Sequence, residues 1–336
     1  MRKRKFVRWF SLFALTWAAA LLSRSLPAEE AATASSGADP VPLLRAYMPT
    51  LRSAPQATGQ TSYVAVPTGA AIGTPKKFSR PHLLYYGGPV LSNVKVYLVA
   101  WGQAGDVTQL GRLASFYADI TNSPYFDWLS EYDTAGRIAE DGKPGSSQTI
   151  GRGSFGGIFT ITPSNSAARI SSRVIADELA AQLKAGHLPA PDLDGLGNVN
   201  AYYAIQFPAG VTIADPNIVS CRDYCAYHDS VLVDGRSVPY GVLPAPVGGC
   251  AMGCGPETDP FDNLTSTHSH ELIEAVTDPA VGQVTGNNNV RPFGWLDARG
   301  WEIADLCDNS PNGRVAGWVV EKGWSNRFFR CLAVAP

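Results

Sequence analysis

The run Val94-Lys95-Val96-Tyr97-Leu98-Val99-Ala100-Trp101 is almost continuously apolar and is rich in β-branched and aromatic residues. A strand that is apolar at successive positions, and not only at alternate ones, is covered on both of its faces. We therefore predict that 94–101 is a buried strand of a central sheet.

The segments around this strand alternate between two periodicities. Apolar residues at helical spacing predict helices over 111–120, 167–185 and 265–276, and apolar runs predict strands over 156–162 and 200–207. The stretch 215–262 looks loop-rich and holds four of the six cysteines, and short strands are expected after Trp295. This order predicts one domain of the α/β or α+β class, with a mixed central sheet, flanking helices and a disulfide-rich loop region.

The N-terminus has the three parts of a secretory signal. A basic head (Arg2 to Arg8) precedes an apolar stretch over 10–22, and Leu26-Pro27-Ala28 offers a cleavage site. An uncleaved anchor is the alternative, although the apolar stretch is short for a bilayer. We expect residues 1–28 to be a signal peptide, 29–80 a low-complexity linker or pro-segment, and 81–336 the globular domain. The protein is then secreted, either extracellular or periplasmic.

Removal of the signal changes the charge balance. Six of the 27 Lys and Arg residues lie in 1–28, so the mature chain carries 21 basic against 29 acidic residues. This excess of negative charge argues against nucleic acid and against an anionic membrane as partners. A peptide or a cell-wall component is a compatible partner.

The six cysteines are expected to form disulfides, since oxidising compartments favour them. Fifteen pairings are possible, and the spacing does not choose among them, although Cys307 could pair with Cys331. A four-cysteine zinc site is the alternative for the two C-x-x-x-C pairs. The cysteines are Cys221, Cys225, Cys250, Cys254, Cys307 and Cys331.

The predicted helix over 265–276 contains the sequence His270-Glu271-Leu272-Ile273-Glu274. On a helix, His270 and Glu274 share one face, so both can bind one ion. In the related zinc motif, the first and fifth residues are ligands and the second is the general base. We therefore predict His270 and Glu274 as metal ligands and Glu271 as the catalytic base; the alternative is a solvated helix face.

A catalytic zinc ion needs a third protein ligand. Glu302 is the candidate, with Asp305 close enough on a short helix to orient His270 from outside the ligand set. His268 and His228 are further imidazoles that could replace Glu302, and a disulfide at Cys225 could fix His228. Zinc is the expected metal, but a site with so many carboxylates could also take calcium or manganese.

An ordered set of segments resembles the phosphate-induced protein/EXORDIUM family of secreted proteins. The matching segments are Gly87-Gly88-Pro89-Val90-Leu91, the cysteine pairs 221/225 and 250/254, His270-Glu271-Leu272 and the stretch from Glu302 to Cys307. The resemblance implies that 81–336 is an EXORDIUM-like domain and that the protein is extracellular or wall-associated and linked to growth responses.

The helix motif is also similar, more loosely, to that of zincin-like metallopeptidases whose third ligand is a downstream glutamate. In those enzymes an aspartate soon after that glutamate supports a ligand histidine, as Asp305 would here. This chain departs from the pattern at the fifth position, where Glu274 replaces histidine.

Two functions follow from these observations. The first is a secreted metal-dependent hydrolase, similar to a peptidase, with a His/Glu/Glu metal site. The second is a non-catalytic extracellular or cell-envelope protein that signals or binds a wall polymer. A glycosidase that pairs Glu271 with Glu302 is a weaker third reading, since nothing places the two carboxyls across a groove.

Overall fold

The computed structural model describes residues 46–49, 80–102, 107–281 and 292–336. The predicted signal peptide lies outside the described residues, as does most of the predicted linker. The helices are α1 (Val107–Thr121), α2 (Pro124–Asp127), α3 (Ser172–Lys184), α4 (Gly249–Gly253) and α5 (Pro260–Thr277). Short 3-10 helices cover Trp128–Tyr132 and Asp305–Cys307.

Fifteen strands are described in these residues. In chain order they are β1 (Ala46–Pro49), β2 (Leu83–Tyr85), β3 (Lys95–Trp101), β4 (Ser154–Ile161), β5 (Arg169–Ile170), β6 (Ala201–Gln206), β7 (Thr212–Asp215), β8 (Ile218–Val219), β9 (Tyr224–Val233), β10 (Arg236–Leu243), β11 (Trp295–Asp297), β12 (Gly313–Val315), β13 (Trp318–Val320), β14 (Gly323–Ser325) and β15 (Arg330–Leu332).

The central sheet is mixed and has the strand order β1-β9-β10-β6-β3-β4. Strands β4, β3, β6 and β10 are parallel to one another, whereas β9 is antiparallel to both β10 and β1. The predicted strand over 94–101 is β3, which pairs on both edges. The smaller sheets pair β2 with β11, β12 with β13, β14 with β15, and β5 with β7 and β8.

Helices cover both faces of this sheet. Along β3, Val96 and Leu98 point into a core shared with α1 and α5, and Tyr97 and Val99 point into a second core shared with α3. This alternation explains why the run is apolar at successive positions. The fold therefore agrees with the predicted mixed sheet with flanking helices.

Helix α5 is buried along nearly its whole length. It begins at Pro260, and the side chain of Asp259 caps it by accepting a hydrogen bond from the Phe261 N–H. One side of α5 packs on the sheet, and the C-terminal strands cover the other, where the Glu321 N–H donates to the Ser269 hydroxyl at 2.8 Å. A polar segment of α5 is thereby held in the interior.

The cysteine-rich stretch contains more regular structure than predicted. Strands β9 and β10 form a hairpin inside 215–262, joined at Asp234 and Gly235, which both have positive φ. This geometry is that of a type I′ turn, for which Asp-Gly is a preferred sequence. The helix predicted over 167–185 starts later, at Ser172, because Ser171 caps it and β5 precedes it.

The disulfides join Cys221 to Cys250, Cys225 to Cys254 and Cys307 to Cys331. The first two connect the start of β9 to the segment that leads into α5. Within the predicted linker, Ala46–Pro49 form an edge strand on β9. No helix in the described ranges has both the length and the apolarity to cross a bilayer.

Candidate metal centre

A buried cluster of imidazoles and carboxylates lies where α5 meets β9 and the C-terminal segment. From α5, His270 Nε2 lies 3.3 Å from Glu274 Oε2, one turn later on the same face. Both side chains are buried, with at most 1% of their surface exposed. The predicted pairing of these two residues on one helix face is therefore present.

The carboxylate of Glu274 has two different surroundings. Its Oε1 accepts a hydrogen bond from the backbone N–H of Asp305 at 3.2 Å, which fixes the group. Its Oε2 lies 3.3 Å from His270 Nε2 and 3.6 Å from His228 Nδ1. One oxygen therefore faces both imidazoles, and Glu274 is the centre of the cluster.

His228 reaches the cluster from the middle of β9. Ala226 belongs to the core on the α5 side, and His228, two residues on, points to the same side. Its Nδ1 lies 3.5 Å from Glu271 Oε2, and its Nε2 lies 3.4 Å from Glu302 Oε1 and 3.3 Å from the Asp278 carbonyl. The sequence offered His228 only as an alternative ligand, but it contacts three carboxylates.

Glu302 and Asp305 come from the segment before Cys307, which forms a 3-10 turn at Asp305–Cys307 and not a longer helix. The two residues do not meet the same imidazole. Glu302 lies beside His228, whereas Asp305 Oδ1 lies 3.8 Å from His270 Nε2. The predicted ligands are thus divided between two triads that share Glu274: His228, Glu274 and Glu302, and His270, Glu274 and Asp305.

Two acidic residues were not anticipated from the sequence. Glu321 follows β13, and its Oε2 lies 3.3 Å from His270 Nδ1. Asp308 forms a further possible triad with His270 and Glu321. Glu321 lies near no recognisable motif, and Asp308 comes directly after the Glu302–Cys307 stretch without a position in the motif, so no sequence signal marks either residue as a ligand.

The imidazoles and carboxylates of this cluster shift the pKa values of one another. Burial by itself would lower the pKa of both imidazoles, but the carboxylates around them raise the pKa of His228 and of His270 well above the usual range. Burial would raise the pKa of Glu274, yet the charge of His270 and the contact with His228 lower it to about 2. Without a cation, the cluster depends on positively charged imidazoles.

Other carboxyls in the cluster have raised pKa values, whereas the pKa of Glu274 is lowered. Burial raises the pKa of Glu271 and raises that of Glu302 well above the usual range. Burial and the nearby charge of Glu274 raise the pKa of Asp305 to about 8. Burial therefore favours the neutral, protonated form of these groups, whose negative charge a bound cation would otherwise balance.

Buried polar atoms without hydrogen-bond partners are concentrated here. They include His228 Nδ1, both ring nitrogens of His270, and both carboxylate oxygens of Glu271 and of Glu302. An unsatisfied buried polar atom is costly, so a group of such atoms in one place indicates a site for a ligand. Tetrahedral zinc bonds of about 2.0 to 2.2 Å place neighbouring ligand atoms roughly 3.3 to 3.6 Å apart. The 3.3 Å between His270 Nε2 and Glu274 Oε2 fits this spacing. The 3.4 and 3.6 Å separations at His228 involve its two different ring nitrogens, only one of which can bind a given ion. In each triad one ligand atom per residue lies within 4.8 Å of the others, so the residues can hold a divalent metal ion.

His268 lies apart from the cluster. The amide nitrogen of Gln206 donates to the carbonyls of Phe207 and Leu243, so the amide oxygen accepts from His268 Nε2 at 3.0 Å. His268 Nδ1 then accepts from the Tyr117 hydroxyl at 2.8 Å. Burial lowers the pKa of His268 to about 3, and it is a neutral structural residue.

Comparison with known proteins does not assign this chain to a family. No family model, no curated protein and no solved structure matches the chain.

Proposed function

We propose that this chain is an exported metal-dependent hydrolase of the peptidase type, related to the EXORDIUM-like secreted proteins that its motifs resemble. The observation that carries the proposal is Glu271. Both of its carboxylate oxygens are buried without a hydrogen-bond partner, and its Oε2 lies 3.5 Å from His228, beside the His228/Glu274/Glu302 triad. A carboxylate beside a metal triad is the arrangement that hydrolytic metal sites use.

In this proposal, His228, Glu274 and Glu302 hold the metal. A zinc ion there would supply Lewis acidity to the attacking water and to the scissile carbonyl. Glu271 accepts the proton of that water, and the protonated carboxyl then donates it to the leaving amide nitrogen. The raised pKa of Glu271, caused by burial, suits a group that alternates between these two states.

Export is supported by three disulfides, which are typical of oxidising compartments. The N-terminal sequence has the pattern of a cleaved signal. The proposed substrate is a peptide, with a cell-wall component as the other partner compatible with an acidic mature chain. Nucleic acid and membrane surfaces are not proposed as partners.

The proposal is tested with the purified chain, loaded with zinc, against fluorogenic peptides. Glu271→Gln should keep its zinc and lose the activity, and Glu131→Gln, which changes a carboxylate elsewhere in the fold, should keep both. Hydrolysis that is unchanged in Glu271→Gln would contradict the proposed base. A zinc-loaded protein that hydrolyses no peptide would favour the second function.

That second function is a non-catalytic extracellular or envelope protein with a structural metal. The closure of the site favours it, because His228, Glu271 and Glu302 are all fully buried. The pocket lined by Pro89, Arg236 and Pro279 contains no residue of the triads. A structural site is closed, whereas a catalytic site keeps one position open to water.

A further inference from the structure

We propose that the cluster is a dinuclear centre, in which a second divalent cation binds to His270, Glu274 and Asp305. This inference rests on the first ion of the proposed function, held by His228, Glu274 and Glu302. Glu274 belongs to both triads and would bridge the two ions.

The separation of the imidazoles is the first argument. His228 and His270 fall into different triads, and each has its own second carboxylate, Glu302 for His228 and Asp305 for His270. A single ion would leave one of these sets without a partner. With its Oε1 fixed by the Asp305 N–H, Glu274 turns Oε2 toward both imidazoles, at 3.3 and 3.6 Å. That is the position of a bridging oxygen.

His270 also has the surroundings of a ligand. Its Nδ1 lies 3.3 Å from Glu321, and its Nε2 points toward Glu274 and Asp305. A carboxylate on the far ring nitrogen orients a metal-bound histidine and selects its tautomer. Glu321 is itself held, because its N–H donates to Ser269 and its carbonyl accepts from the Tyr125 hydroxyl.

This arrangement also decides between the two triads that contain His270. A neutral imidazole has one nitrogen with a free lone pair. If Nδ1 carries the proton toward Glu321, Nε2 is the metal-binding atom, and the ion lies with Glu274 and Asp305. Neither ring nitrogen of the fully buried His270 has a hydrogen bond, so the side chain lacks the partner that an ion would provide.

Charge is the third argument. Five carboxylates, Glu271, Glu274, Glu302, Asp305 and Glu321, surround the two imidazoles. When all five are ionised, one divalent ion leaves three negative charges uncompensated in the interior, and two ions leave one. Uncompensated buried charge is expensive, so the second ion stabilises the centre.

The chemistry of the second site can be specified. It offers one imidazole and two carboxylates, a set that suits manganese or zinc. Asp305 has 17% of its side chain exposed, so this site is the more accessible of the two to an ion from solvent. Ions that share a bridging carboxylate lie roughly 3.5 to 4 Å apart, the spacing used by two-metal hydrolases.

The experiment measures metal per chain in the full-length protein after equilibration with Mn²⁺ or Zn²⁺ and removal of free metal. We expect two ions in the wild type. Asp305→Asn and His228→Ala should each retain one, Glu274→Ala should retain none, and the control His268→Gln should retain two. Circular dichroism of each variant identifies any that fail to fold.

The Mn²⁺ form gives a second readout that needs no variant, because two bridged ions produce an exchange-coupled EPR spectrum. One ion in the wild type with an uncoupled spectrum overturns the dinuclear centre. If that ion is lost in His228→Ala and kept in Asp305→Asn, the proposed function survives. If the wild type binds no ion, both proposals fail.

Discussion

Glu274 Oε2 lies 3.3 Å from His270 Nε2, one helical turn away, inside a helix that is buried on nearly all sides. Surface pairs with this i,i+4 spacing contribute only a few tenths of a kcal/mol. In the interior the same pair must be compensated by its neighbours, because isolated buried charges are costly. The stability of the fold and the occupancy of the centre should therefore be linked.

The first prediction concerns metal and thermal stability. Divalent metal should raise the melting temperature of the wild type, and a chelator should reverse this, because an ion bound only to the folded state stabilises it. The gain is about 4 kcal/mol when free metal is a thousandfold above its dissociation constant. Calorimetry with and without chelator measures it.

Glu274→Gln is the variant that separates this effect from non-specific ion binding. It keeps the shape of the side chain and removes the shared ligand charge, so its melting temperature should not respond to metal. A wild type that melts at the same temperature with metal and with chelator would contradict the prediction.

The second prediction concerns Glu321, whose Oε2 lies 3.3 Å from His270 Nδ1 and would orient a metal-bound His270. Glu321→Gln should weaken binding of metal at the His270 site by roughly 10- to 100-fold, the usual cost of losing an outer partner of a ligand histidine. Titration calorimetry with Mn²⁺ gives the affinity. Glu131→Gln is the matched control, since Glu131 bonds Ser325 and Arg327 and touches neither histidine. Equal affinities in the two variants would disprove the orienting role.

The third prediction is a dependence of stability on pH that arises from His268. Its pKa is about 3 in the folded chain and 6.5 in the unfolded chain, so the unfolded state binds the proton first. The neutral form contributes its full stability above pH 6.5 and loses it as the pH falls toward 3. The slope approaches about 1.4 kcal/mol per pH unit for one proton.

His268→Gln removes this titration and leaves the other acidic groups in place. The difference in unfolding free energy between wild type and variant should shrink as the pH falls below 6.5. Urea unfolding in the presence of chelator measures it without a contribution from metal release. A difference that stays constant from pH 7 to pH 5 would exclude His268 as the source.

The fourth prediction compares two glycines. A Cβ on Gly88 would lie 1.8 Å from the backbone oxygen of Pro292. The Gly88 N–H donates to the Phe293 carbonyl, so the two backbone segments cannot easily move apart. Gly88→Ala should destabilise the fold by about 1 to 3 kcal/mol. Gly111 lies inside α1 with open space around it, so Gly111→Ala should stabilise by about 0.5 to 1 kcal/mol. Both predictions are confirmed if the urea midpoint falls in Gly88→Ala and rises in Gly111→Ala, relative to the wild type. A Gly88→Ala variant with an unchanged midpoint would contradict the close contact described at Gly88.

Hydrophobic periodicity predicted the helices and strands whose burial leaves a pattern in their own sequence. The run at β3 and the stripe of α5 are visible because burial on two faces, or along a helix, imposes a pattern on adjacent residues. The hairpin of β9 and β10 was not predicted, although Asp234-Gly235 is a typical turn sequence. The stretch 215–262, with its four cysteines, was interpreted as loop-rich. The disulfide pairing depends on contacts between distant segments, which spacing does not encode.

The same distinction holds for the candidate centre, where local patterns were predictable and contacts between distant segments were not. His270, Glu271 and Glu274 are found from a local motif, since a helix brings i and i+4 together. The place of His228 depends on how β9 packs against α5, and that of Glu321 on how the C-terminal strands cover the helix. The exchange of Glu302 for Asp305 beside His270 follows from the short 3-10 turn, which does not place both on one face.

All three disulfides lie next to segments that carry the proposed ligands. Cys225 precedes His228 on β9, its partner Cys254 precedes α5, and Cys307 follows Asp305 closely. A reduced chain lacks the two links between the start of β9 and the segment before α5, and the link between Cys307 and Cys331 within the C-terminal segment. If the chain is oxidised after export, metal insertion becomes the last step of maturation. The identity of the metal would then be decided by the ions available outside the cytoplasm, and not by those present where the chain is synthesised.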